Sequence, residues 1–233
     1  MTISFNLAAV LTPGNLEILA HGIEVTLAVS AASWTAGMML SMVLLAARLS
    51  KNRLLLFLAH AFISYHRNVP VLVQLMFWYF GISTLLPTGL RQSLQEIGSE
   101  FIFSAIALSL YISAYFCEDL RSGLRAILPG QHEAARALGF NFVRSMAYII
   151  MPQCVRNAFP ALMNNTIVLF KASSLGMAVG LAELTYVARE IENATFRTFE
   201  IYAVATAIYV VFCLLLMLAG DLVSRRYRKE QAR

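Results

Sequence analysis

Apolar residues fall along this chain in long uninterrupted blocks. Val25–Ala47 carries no charge over 23 residues, Phe101–Cys117 none over 17 and Ile201–Gly220 none over 20. Val69–Pro87 is equally free of charge, and Asn157–Ala182 is interrupted only by Lys171. A helix needs about 20 such residues to cross the hydrocarbon of a bilayer, so each block predicts a span. Continuous blocks favour helices over a membrane barrel, whose strands alternate apolar and polar positions. The pattern predicts an all-α integral membrane protein with about five transmembrane helices, near 25–47, 54–87, 101–120, 157–182 and 201–222. These form one transmembrane domain, 25–220, with an N-terminal segment 1–24, a loop at 118–156 and a tail at 221–233.

Leu54–Tyr65 is too short to span, and His66-Arg67-Asn68 separates it from Val69. Pro70 drives the residue before it away from helical angles, so a break is expected at 68–70, and the short piece is counted with the second span.

Composition agrees. The chain is 59% hydrophobic and 13% charged, against roughly 45–50% and about 25% in soluble domains. Cytoplasmic loops are enriched in Lys and Arg. With five spans and the N-terminus outside, 13 of the 18 basic residues fall inside; a sixth span breaks that asymmetry. The net charge of +5 therefore reads as topology, with the N-terminus periplasmic and the C-terminus cytoplasmic, and not as a nucleic-acid footprint. No Lys or Arg precedes Arg48, so the n-region of a cleaved signal peptide is not expected. Cys117, Cys154 and Cys213 lack metal-ligand spacing and serve as small apolar residues.

The inside loop carries the most specific signal. After Pro129-Gly130, the run Gln131-His132-Glu133-Ala134-Ala135-Arg136-Ala137-Leu138-Gly139 predicts a short helix. Glu133 is expected in its first turn, facing the positive dipole end, and Gly139 at its stop. Ala134, Ala135 and Leu138 are expected to share one apolar face, with a partner's groove stabilising a helix too short to stand alone. Glu133-Ala134-Ala135, Gly139 and the ending Ile149-Ile150-Met151-Pro152 resemble the EAA loop of ABC importer permeases, with Met151 where that loop usually has Leu. The similarity runs from about Gly22 to Arg228. Arg67-Asn68-Val69-Pro70-Val71-Leu72-Val73-Gln74 resembles the second-span signature of the polar amino-acid branch, and Gly180-Leu181-Ala182-Glu183-Leu184-Thr185 one of its closing segments. Lys171-Ala172-Ser173-Ser174-Leu175 departs from the branch's common Lys-Asp-Thr-Ser-Leu.

That resemblance implies a type I ABC importer (MetI-like) permease fold in a bacterial inner membrane. It also implies a second permease subunit, identical or a sister, two ATP-binding subunits and a periplasmic amino-acid-binding protein. ATP and Mg would sit on the ATPase partners, this chain binding no cofactor. Gln131, Glu133, Ala134, Ala135, Leu138, Gly139 and Pro152 become the ATPase-coupling set.

For the pathway, Lys171 is the one formal charge inside the fourth span, where a cation costs about 2.5–3.5 kcal/mol. Asn164, Asn165, Ser173 and Ser174 flank it. These side chains either line the route, with Lys171 meeting a substrate carboxylate, or bond between helices while the lysine snorkels to the headgroups. Arg67 either anchors a helix end or gates the route, and Gln74 is a further lining candidate. Outside, Leu184, Val187, Ala188 and Ile191 predict the apolar stripe of a surface helix on which Glu183, Arg189 and Glu190 are candidates for docking a binding protein. A gradient-driven transporter or channel is the alternative, but no internal repeat or intramembrane ion pair is visible. His21, His60, His66 and His132 are isolated, and no nucleophile triad or phosphate loop points to an enzyme.

Overall fold

The computed structural model describes residues 6–231, with side chains placed through Tyr227; positions 1–5 and the side chains of Arg228, Lys229 and Arg233 in the predicted tail lie outside the described residues. Every regular element among those residues is helical.

α1 runs Pro13–Leu49. Thr12 caps it by accepting the Asn15 N–H at 3.3 Å, with Pro13 in the first turn, where its missing donor costs nothing. The helix thus starts well before the apolar block, because the cap sets where it begins and hydropathy only where it meets lipid. α2, Arg53–Asn68, is capped by Asn52, whose Oδ1 accepts the N–H groups of Leu54 and Leu55. α3, Val71–Leu85, follows at 109° to α2 and contains a π-helical segment, Phe77–Ile82. The break expected at 68–70 is present, and it is too sharp for one continuous rod. Gln74 closes it. Its amide donates to the carbonyls of Val69 at 2.8 Å and His66 at 3.1 Å, and its Oε1 lies 2.6 Å from His66 Nδ1. These bonds occupy carbonyls that a helix end otherwise leaves bare.

α4, Thr88–Ile97, ends at Gly98 and α5 spans Ser99–Arg125. α6, Pro129–Ala137, is short. α7 covers Phe142–Val179, opening with a π turn at Met146–Ile150 and closing as a 3-10 segment at Ser173–Val179. α8 is Leu184–Thr195 and α9 is Thr198–Gln231. Three helices cross a membrane by length and composition alone, and five crossings result if each bent pair counts once. The loop expected over 118–156 is mostly helix: α5 runs on to Arg125 and α7 resumes at Phe142, because the amphipathic helix ends continue past the lipid boundary.

α5 is the central mast. Phe103, Ala107, Leu108, Ile112, Phe116 and Leu120 are buried along it, and α1 and α7 flank it as its main partners. Val10, Leu19, Leu184, Val187 and Ile201 close one end of the bundle. At the other end Arg48 of α1 meets Glu118 of α5, and Arg156 of α7 lies 5.6 Å from the Tyr227 ring of α9. The start of α1 and the end of α9 are therefore at opposite ends, as five passes require.

Close approach of α5 to α7 depends on Gly123. A Cβ there would stand 2.4 Å from the Cys154 carbonyl oxygen and 2.9 Å from the Ala158 nitrogen, and backbone cannot retreat as a side chain can. Small residues that let helices touch are the usual basis of packing in lipid. Gly123→Ala should cost about 1–3 kcal/mol by overpacking, lowering the melting temperature in detergent, while Gly14→Ala, with open space around it, should leave it unchanged.

Candidate functional site: the coupling loop and the polar face of α7

α6 sits at the end of α5 and is bounded by backbone chemistry. Pro129 occupies its first turn. Glu133 consequently falls in the second turn and not the first, beyond the short reach of the helix dipole. Gly139 adopts φ +80°; its N–H bonds the Arg136 carbonyl at 3.0 Å, and the Phe140 N–H reaches that of Ala135 at 3.1 Å. This is the glycine-terminated stop expected from the sequence.

The apolar face is divided, contrary to expectation. Ala135 is 1% exposed and seats α6 on its own chain, whereas Ala134 is exposed and Leu138 is 74% exposed. Gln131, although exposed, ties α6 to its own chain as well, accepting the Gln153 amide at 3.0 Å. On the same stretch of chain Leu128, Phe142, Val143 and Tyr148 are each more than 70% exposed. An apolar cluster of that size is the signature of a contact surface. Pro152, exposed just after the π turn, supplies no N–H to the Tyr148 carbonyl one turn back, which loosens the local ladder.

The predicted pathway residues do not gather in one place. Asn165 and Arg67 converge on Asp119: the Asn165 amide donates to its carboxylate at 2.7 Å, and Arg67, 5.5 Å above the Tyr115 ring, acts on the same charge. Sequence reasoning passed over Asp119, although an acid at the close of an apolar block was the available signal. Asn164 and Lys171 are exposed, seven residues apart and so on one helix face. Gln74 and Ser173 are buried and their side chains serve backbone carbonyls, Gln74 at the α2–α3 break and Ser173 at Phe170 O; neither lines an open route in this conformation. Ser174 donates to the Lys171 carbonyl at 2.7 Å.

The Asn165–Asp119 bond sets the depth of Lys171. At 1.5 Å per residue, Asp119 stands about 9 Å from the end of α5 and Lys171 roughly 9 Å farther along, near mid-height. An exposed ammonium at that depth needs either water or a second polypeptide over it.

Residues 37–229 match the family described as the inner membrane component of binding-protein-dependent transport systems. The chain belongs to that family. It is a permease subunit of an ABC transporter, whose ATPase is a separate subunit. It is 32% identical over 215 residues to the arginine transport permease ArtQ of Bacillus subtilis, covering 92% of this chain and 94% of that one. The octopine permease OccM of Rhizobium meliloti is 36% identical over 194 residues, 82% and 78% of the two chains. The glutamate/aspartate import permease GltJ of Escherichia coli is 28% identical over 211 residues, 89% and 86%. Among solved structures, an amino acid ABC transporter with histidines superposes with TM-score 0.81 at 31% identity, over 96% of this chain and 100% of that one. The inward-facing MetNI methionine transporter, at TM-score 0.75 and 18% identity over 93% and 99%, shares the fold.

At the end of the permease opposite α6, the apolar stripe of α8 is buried as expected, while Arg189 and Glu190 are exposed. Glu183 requires correction as a docking candidate, because it is 0% exposed. Its carboxylate caps α8, accepting the N–H of Thr185 at 2.8 Å and of Tyr186 at 3.0 Å, and takes the Tyr209 hydroxyl of α9 at 2.9 Å. Thr26 of α1 accepts the Leu184 N–H beside it at 3.0 Å. Side chains of α1 and α9 thus meet at the start of α8. Glu183→Ala should cost about 1–3 kcal/mol, from a lost cap and the loss of the carboxylate that accepts the Tyr209 hydroxyl, which keeps only Thr185 Oγ1 at 3.0 Å. The check is thermal unfolding in detergent; a melting point equal to wild type would show the junction to be dispensable.

Proposed function

We propose that this permease forms the membrane pathway of an ATP-driven importer for polar L-amino acids, with acidic ones such as glutamate and aspartate as its substrate class. One observation carries the coupling half of this reading: α6 is anchored to its own chain by Ala135 and Gln131 while Leu138 and its apolar neighbours stand free. A two-turn helix held on one side and exposed on the other suits seating in a groove of an ATPase subunit. Gln131, Glu133, Ala134, Ala135, Leu138, Gly139 and Pro152 form that coupling unit. ATP and Mg are held by two ATPase subunits and no cofactor by this chain. This end of the permease is cytoplasmic, together with the end of α9, and the start of α1 is periplasmic.

A second permease subunit, identical or a sister, covers the exposed face of α7, and the paired subunits enclose the route. A periplasmic amino-acid-binding protein delivers substrate at the opposite end, with Arg189 and Glu190 on the surface it approaches. Closure of the ATPases draws the paired α6 helices together and shifts the bundle between two arrangements. Lys171 supports the acidic class. Its charge stands at mid-height on the face of Asn164, and the next residue is the neutral Ala172 where related permeases commonly have an acid. A carboxylate brought by the substrate supplies the missing counter-charge.

Leu138→Glu should reduce co-purification of the ATPase subunit at least about tenfold, corresponding to about 1.4 kcal/mol, and remove substrate-stimulated ATP hydrolysis in proteoliposomes. Retention of both would refute the coupling assignment. Lys171→Met should abolish amino-acid uptake at unchanged membrane abundance; unaltered uptake would remove Lys171 from the pathway.

A further inference from the structure

A cavity of about 230 Å³ opens at the end of the bundle opposite α6, between the π segment of α3, the surface helix α4 and the start of α5. One wall is polar, with Arg91 and Gln95 four residues apart on one face of α4 and Ser99 behind them. The other wall is apolar, formed by Phe80, Leu94 and Phe103. The nearby carboxylate, Glu100, is already engaged: it accepts the Tyr79 hydroxyl at 2.9 Å and that of Ser99 at 3.2 Å. The Arg91 guanidinium, on an exposed residue, is the cation that this lining offers to a guest.

The cavity continues into an apolar strip. Phe80, Phe77, Met76 and Val73 lie on one side of α3 and are 56%, 52%, 40% and 53% exposed. Their i, i+3, i+4, i+7 spacing makes a continuous ridge, about 10 Å long, descending from the cavity toward the bundle centre. Leu90 and Ile97 of α4 are also exposed, at 49% and 74%, which suits a helix lying in the membrane interface. The π segment that lines both cavity and ridge is of a kind found frequently at functional sites.

We propose that this cavity and ridge hold one anionic phospholipid, its phosphate against Arg91 and Gln95 and one acyl chain along Phe80, Phe77 and Val73. A charged head and an apolar tail of the required order match the polar wall and the strip below it. The lipid wedges α4 against α3 and α5, so leaflet composition modulates the mobility of the outer end of the permease. This site is separate from the basic tail, which lies at the other end of α9.

The test uses the full transporter in nanodiscs with phosphatidylglycerol carrying a photoactivatable headgroup. Cross-links should map to peptides within residues 77–103. They should fall about fivefold in Arg91→Gln, the worth of one basic residue at a lipid surface, and persist in Arg91→Lys. Substituting Phe80→Ser should weaken labelling while leaving that of the C-terminal tail unchanged. Labelling that is indifferent to Arg91 overturns the proposal. So does labelling displaced by millimolar inorganic phosphate or free glutamate, which would make this a small-anion site, or protection of Phe77 by cross-linking to a second permease subunit.

Discussion

In hydrocarbon, every polar group withdrawn from water has to find its partner inside the protein, and in this permease most of those partners converge on α5. Glu118 takes Arg48 from α1 and Arg121 from its own helix. Asp119 takes Asn165 from α7. The carbonyls of Leu120 and Gly123 receive Cys154 and Asn157. The bare backbone at Gly123 lets α7 come near enough for these bonds to form. Such bonds are individually modest, about 0.6 kcal/mol on average between membrane helices. Their importance lies in register, since each one forms at a single sliding position of one helix on another.

The same constraint explains why the breaks are so well furnished. A helix interrupted at membrane depth exposes carbonyls that lipid cannot satisfy. Gln74 meets those at the α2–α3 turn, and Glu183 meets the free N–H groups at the start of α8. Two side chains with the chemistry of transport residues are therefore committed to holding bent backbone in place. The bends divide the bundle into straight pieces joined at defined points. They also leave α6 at one end of the bundle and α8 across the opposite end.

Several features were legible in the residues alone. Block length set the number of crossings, and Arg48, Arg121 and Arg156 do gather at the end of the bundle that carries α6. The stop of α6 at Gly139 followed from the freedom of glycine at positive φ, a local property that needs no tertiary context. The break before Pro70 followed likewise from proline's own geometry. By contrast, Glu133 stands in the second turn and not the first, because Pro129 opens the helix and does not merely precede it.

Local backbone chemistry and the solvent preference of long apolar runs, then, are written into the chain one segment at a time, and from them came the helical class, the membrane-crossing segments and the short helix α6. Which face each polar side chain presents was decided only by packing. Gln74, Ser173 and Glu183 look like pathway or surface residues until the helices close over them, and Asp119 looks like a loop residue until Asn165 and Arg67 meet it. Side-chain fate depends on what arrives from distant segments, because a hydrogen-bonding group is satisfied by position in space and not by position in sequence.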